Sequence, residues 1–123
     1  MLNHSPHTAP SPSLDLLFQA LADPTRRAMV ERLSRGPASV KELAAPLAIS
    51  LPAVMQHLRV LEASGVVRSE KRGRVRTCRI EGPALRRVED WIAKQRTIWE
   101  RRLDRLERFL AEQDDHSDSR RRQ

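Results

Sequence analysis

The chain has 123 residues, enough for one domain with a modest core and too few to predict a second. Its 23 Lys plus Arg outnumber 16 Asp plus Glu, and the net charge of +7 favours a polyanionic partner, nucleic acid ahead of a membrane surface. A single cysteine excludes an internal disulfide framework and suits a reducing compartment. No apolar run approaches the roughly 20 residues of a spanning helix, and the first residues lack the regions of a signal peptide, so a cytoplasmic protein with no membrane partner is expected.

Residues 1–13 carry Pro6, Pro10 and Pro12 among serines, histidines and Thr8, a composition that predicts a disordered arm. Ser13 is the N-cap candidate of a first helix with Leu14, Leu17, Phe18 and Leu21 on one stripe. Asp23-Pro24 interrupts it, Asp23 capping a second helix with Pro24 at its first position and Met29, Val30 and Leu33 inward. Gly36-Pro37 stops that helix. Ser39 and Glu42 have the spacing of a capping box, which opens a short third helix over about 39–47 with Val40, Leu43 and Leu47 buried.

Ser50 caps a fourth helix that tolerates Pro52 in its first turn and ends at Gly65. Val54, Leu58 and Leu61 recur at four and three residues and face inward, while Pro52, Ala53, Gln56, His57 and Arg59 point elsewhere. Val66 to Lys71 and Arg74 to Ile80 read as two short strands around Arg72-Gly73. Pro83 then begins a helix in which Leu85, Val88, Ile92, Trp99, Leu103, Leu106 and Leu110 keep three-or-four spacing. Its length of about 42 Å exceeds what one small domain needs for itself. Residues 113–123 are charged and apolar-poor, which predicts a disordered tail and leaves 14–112 as the folded domain. The fold class expected is mainly α with a small β-hairpin (α+β) and a long C-terminal helix; the family resemblance given below makes it a winged helix-turn-helix with that helix used for dimerisation.

A buried helix alone would explain Val54, Leu58 and Leu61. It would not explain the short capped helix before them and the basic hairpin after them, which together point to a DNA-reading helix and wing. On that reading Ser50, Gln56 and His57 donate to phosphates or base edges, Pro52 and Ala53 offer apolar contact, and Arg59 lies on the same free side. Arg72 and Arg74 at the hairpin tip reach phosphates or a minor groove, whereas Arg68 and Arg79 are weaker candidates. His57 has no evident companions for a metal site or a catalytic centre, and no catalytic residue, metal ligand or cofactor is assigned. His4, His7 and Asp15 form no convincing cluster either. Cys78 reads as a small buried hydrophobe on the same side as Ile80, a redox-active thiol being the alternative. Trp91 and Trp99 read as packing, with a ligand pocket as the alternative.

The element order, together with Leu21-Ala22-Asp23-Pro24-Thr25-Arg26-Arg27, Val54-x-x-His57-Leu58-x-x-Leu61-x-x-x-Gly65 and the wing Arg72-Gly73-Arg74, resembles the ArsR/SmtB family of winged helix-turn-helix repressors over roughly residues 14–112. The resemblance implies a homodimer built from the first and last helices, here Leu14, Leu17, Phe18 and Leu21 with Ile92, Trp99, Leu103, Leu106 and Leu110. It also implies operator DNA as the partner and DNA contact by His57. Metal-sensing members carry a Cys-x-Cys pair before the recognition helix or Asp and His on the last helix. Here the first region reads Val40-Lys41-Glu42-Leu43-Ala44-Ala45, and the last helix as read from the sequence contains no histidine, so the ligands for those soft-metal sites are missing. The expected function is therefore a sequence-specific, non-enzymatic transcriptional regulator, a homodimeric repressor of its own promoter with its effector unidentified. A redox- or ligand-responsive regulator using Cys78 or the Trp91/Trp99 region is the alternative, and a protein-interaction module a more distant one.

Overall fold

The computed structural model describes residues 13–121, with side chains described to residue 117. In chain order they form α1 (Leu14–Leu21), α2 (Pro24–Leu33), β1 (Ala38–Ser39), α3 (Val40–Ala44), α4 (Leu51–Ser64), β2 (Val67–Arg72), β3 (Val75–Ile80) and α5 (Gly82–Arg121). Residues up to Val88 make one compact unit and those from Glu89 onward a second.

The helix starts follow local chemistry. Ser13 accepts from the Leu16 N–H at 3.2 Å, Asp23 from the Arg26 N–H at 3.0 Å, and Ser50 from the Ala53 N–H at 3.3 Å, so each first turn has a side-chain acceptor for an otherwise unmatched donor. At α3 the capping box is complete, with Glu42 N–H donating to Ser39 at 3.1 Å and Ser39 N–H to Glu42 at 2.9 Å. α4 closes at Gly65, whose φ of 84° lies in the left-handed region that glycine enters without a Cβ clash. Just before it, Ser64 is buried yet satisfied, donating to the Leu61 carbonyl at 2.7 Å and accepting from the Val66 N–H at 3.3 Å.

α4 is the centre of the core. Val54, Leu58 and Leu61 are fully buried, and α1, α2, α3 and β2 all pack on this helix. Leu17, Ala20, Met29, Leu33, Leu43 and Val66 complete the cluster from the surrounding elements. The sheet is antiparallel in the order β1-β3-β2, with Val67 opposite Ile80 and Arg72 opposite Val75.

Three departures from the sequence expectation have identifiable causes. First, a two-residue strand precedes α3 and pairs Ala38 with Cys78 and Ser39 with Thr77; a strand that short has no alternating pattern to recognise. Second, α3 ends at Ala44 rather than near 47, because Pro46 lacks the N–H that would bond the Glu42 carbonyl. Third, α5 continues through Arg121 where a disordered tail is predicted over 113–123. Charge density was read there as disorder, yet after Pro83 the chain has neither proline nor glycine to stop a helix. The predicted N-terminal arm falls almost wholly outside the described residues.

The cap carboxylates make the fold acid-sensitive. The Arg26 N–H, foremost, holds Asp23 below its ordinary value, and the Ser39 N–H and then the Ser39 hydroxyl do the same for Glu42. A carboxylate with a depressed folded-state pKa contributes its full stabilisation above the ordinary carboxylate value and loses it as pH falls through the folded value. Urea denaturation followed from pH about 6 downward should therefore show stability falling below pH about 4, and Asp23→Asn should flatten part of that fall.

Cys78 is fully buried in the middle of β3, opposite Ala38 and Ser69. Burial, reinforced by the Glu62 charge, pushes its thiol up to about 11 from an ordinary 9.0. Two units mean about a hundredfold less thiolate at neutral pH. Alkylation of the native protein by iodoacetamide should be slower than that of the urea-unfolded chain by at least that order, and equal rates would show that the thiol is accessible and reactive.

Candidate nucleic-acid interface

Burying the Val54/Leu58/Leu61 stripe leaves the opposite side of α4 outward. Ser50, Leu51, Pro52, Ala53, Met55, Gln56 and Arg59 line a shallow recess there. Five of the predicted DNA-facing residues are thus brought together: Ser50, Pro52, Ala53, Gln56 and Arg59. Leu51 and Met55 join them although the sequence reading did not select them. Leu51 is 48% exposed, a large apolar side chain left outside at the very start of the helix. Although the Ser50 oxygen accepts the cap bond, its hydroxyl proton remains a donor.

His57 is placed differently. Successive helical residues are about 100° apart, and His57 sits on the flank turned toward α2, with its side chain 25% exposed. Its Nδ1 lies 3.3 Å from an Arg26 guanidinium nitrogen and 3.9 Å from an Asp23 carboxylate oxygen. Both groups approach the same ring nitrogen, the guanidinium as a donor to it and the carboxylate as an acceptor from it, and the sequence predicts neither. Both come from the Asp23-Pro24-Thr25-Arg26 segment, whose sequence signals only a cap and a helix start.

The wing sorts its cations by partner. Arg68 and Arg79 each lie 3.7 Å from Glu81, Arg79 is also 3.8 Å from Glu70, and Arg76 donates to the Ser69 hydroxyl at 2.9 Å. These side chains are held along the sheet. At the tip Gly73, with φ 63°, makes the tight turn between β2 and β3. Arg72 is 89% exposed on its side chain and has only a 3.8 Å approach to Glu70, an ion pair of little strength in open solvent. Arg74 is exposed with no ion-pair partner among the described residues. Arg72 and Arg74 are thus among the most exposed cations of the wing, as is Lys71 beside them.

The predicted dimer residues divide. Leu17 is fully buried within its own unit, and Leu14 and Leu21 pack partly against the same core, so Leu17 has no surface to offer a second chain. This corrects the expectation for Leu17: α1 has an inward face ending in Leu17 and Ala20, while Leu16 and Phe18 are its more exposed large apolar residues. On α5, Ile92, Trp99, Leu103, Leu106 and Leu110 are all exposed, together with Ile98 and Phe109. The concavity at Trp99 is lined by Arg102, Leu103, Arg105 and Leu106 of the same helix and does not include Trp91. A single helix surface of that kind does not enclose a small molecule. Among the described residues no group of three or more His, Cys, Asp or Glu is gathered as a metal site, and no helix is long and apolar enough to cross a membrane.

Residues 21–70, from the end of α1 to β2, match a helix-turn-helix domain family. The chain is 48% identical over 73 residues to the HTH-type transcriptional regulator Rv2034 of Mycobacterium tuberculosis, covering 59% of this chain and 68% of that protein. It is 45% identical over 58 residues to the HTH-type transcriptional repressor SmtB of the same species, covering 47% of this chain and 43% of the repressor. Among solved structures, an ArsR family transcriptional regulator superposes with a TM-score of 0.68 at 56% identity, covering 71% of this chain and 96% of that one. An ArsR-like transcriptional regulator from Rhodococcus sp. RHA1 gives 0.68 at 33% identity, with 78% and 91% covered. With an outward helix face, a basic wing and these relatives, the chain belongs to the ArsR/SmtB family of winged helix-turn-helix proteins and is a DNA-binding transcriptional regulator.

Proposed function

We propose that the protein is a homodimeric, non-catalytic cytoplasmic repressor that occupies a partly palindromic operator overlapping its own promoter. The observation that carries the reading is the outward face of α4, where Ser50, Pro52, Ala53, Gln56 and Arg59 gather on the side opposite the core. With His57 on its flank, this face enters the major groove and supplies sequence choice. Arg72 and Arg74 at the wing tip supply affinity through phosphates. Repression is supported by the repressor named among the relatives.

A second copy of the chain is the partner proposed for α5. Ile92, Trp99, Leu103, Leu106 and Leu110 lie within about 60° of one another around the helix, and every one is exposed. Five large apolar side chains in a row are more than a single helix leaves in water without a partner. Glu100, Arg101, Asp104, Arg105, Glu107 and Arg108 around them carry both signs, as the solvated flanks of paired helices do. Phe18, on the exposed side of α1, is proposed as a further dimer residue. A two-fold axis would then present two α4 helices to successive turns of one DNA face.

Fluorescence anisotropy with duplex from the protein's upstream region, against scrambled duplex across a salt titration, tests the reading. The wild-type chain should prefer the upstream duplex. Arg74→Ala should weaken binding to both duplexes and reduce the salt slope by about 0.9 per protomer, whereas Gln56→Ala should change base preference and leave the slope in place. Indifference of operator binding to both substitutions would contradict this interface.

The dimer is tested by sedimentation velocity. Leu103→Asp combined with Leu106→Asp should give a folded monomer with operator affinity lowered by at least about tenfold, since half of the bivalent contact is lost. A variant that still sediments as a dimer would move the interface away from α5.

A further inference from the structure

Arg26 makes a three-way contact that helix capping does not require. Its Nε donates to the Ala20 carbonyl at 2.7 Å and one terminal nitrogen to the Gln19 carbonyl at 3.0 Å, both in the last turn of α1, where the Gln19 carbonyl also accepts from the Ala22 N–H at 3.2 Å. The other terminal nitrogen, Nη1, reaches His57 Nδ1 at 3.3 Å. The guanidinium is thereby fixed at its back by two carbonyls and spends its remaining arm on the recognition helix. A guanidinium has five N–H donors and no acceptor. As a hydrogen bond this contact needs His57 Nδ1 to accept and carry no proton; the Asp23 carboxylate oxygen, which would favour a proton on the same nitrogen, lies farther off at 3.9 Å against 3.3 Å, so Arg26 is the nearer partner.

We propose that Arg26 is a positioning residue for DNA recognition, which fixes His57 in the tautomer with the proton on Nε2 and so makes that side chain a hydrogen-bond donor to the operator. The inference rests on the repressor reading and deepens it. With Nδ1 engaged, Nε2 is the nitrogen left to meet DNA, and an Nε2–H suits acceptors only: a phosphate oxygen, guanine O6 or N7, adenine N7 or thymine O4. It is mismatched to the amino groups of cytosine and adenine. A ring free to exchange tautomers would offer either character and discriminate less. The same contact ties the end of α1 to the flank of α4 through one side chain of α2, so the aim of the recognition helix depends on a residue that does not itself touch the recess on α4.

Two measurements test this. The first is a two-bond proton–nitrogen correlation spectrum of the free wild-type protein in mildly alkaline buffer, with the His57 ring assigned by its loss in His57→Gln. It should show a protonated Nε2 and a bare Nδ1, and a protonated Nδ1 would overturn the assignment. The second is a double-mutant cycle read as operator affinity. Arg26→Gln should weaken upstream-duplex binding by about tenfold, the scale of one charge-assisted hydrogen bond. In the His57→Gln background, where the amide offers a donor near the Nε2 position whatever Arg26 does, the same change should cost less than about twofold. An equal loss in both backgrounds would mean that Arg26 acts only through the stability of the fold and would overturn the proposal. If the wild-type chain does not prefer the upstream duplex at all, the repressor reading fails and the use proposed for His57 fails with it, while the spectrum still reports the ring's tautomer.

Discussion

The constraint on which the rest depends is that one helix serves two media. α4 buries Val54, Leu58 and Leu61 completely at the centre of the core, against α1, α2, α3 and β2, while its opposite side stays outward as a recess bounded by Ser50 and Arg59. Burial of three aliphatic side chains, at about 1.5–3 kcal/mol each, fixes the rotation of the helix about its axis. The same free energy that holds the fold together therefore decides which residues of α4 face outward. A reading surface on a loop would have no such guarantee.

The secondary features refine that placement. Gly65 ends α4 and Ser64 hydrogen-bonds across the junction to Val66, so the strand that leads to the wing leaves α4 in a defined direction. Along the wing, Glu81 lies near Arg68 and Arg79 and Glu70 near Arg79 and Arg72, while Lys71 and Arg74 are exposed with no ion-pair partner among the described residues. At the other flank of α4, Arg26 of α2 lies 3.3 Å from His57, and the N-cap Asp23 lies 3.9 Å from it.

Most of the fold was legible in the sequence because its signals are local. Ser13, Asp23, Ser39 with Glu42, and Ser50 each mark a helix start through a bond spanning three residues, and all of these bonds form. The inward stripe of α4 was legible for the same reason, since its period is set by the helix itself. What escaped was either non-local or depended on one weak negative signal. The pairing of β1 with β3 is a contact between residues about 40 apart. The Arg26 to His57 contact spans 31 residues, and nothing in either neighbourhood announces the other. Leu17 was misassigned because α1 is apolar on more than one side, and periodicity alone does not say which side the core takes. Residues 113–121 combine a high charge, which favours disorder, with the absence of any helix-stopping residue, and they are helical.

The central claim is that two copies of α4 are set by α5 pairing to read one face of an operator. Hydroxyl-radical footprinting of the wild-type protein on its upstream DNA addresses both halves of that claim at once. Two protected tracts whose centres lie about one helical turn apart, near 10 base pairs, with related sequences in inverted orientation, are the result predicted. A single tract with no related partner, or protection spread evenly without regard to sequence, would contradict it.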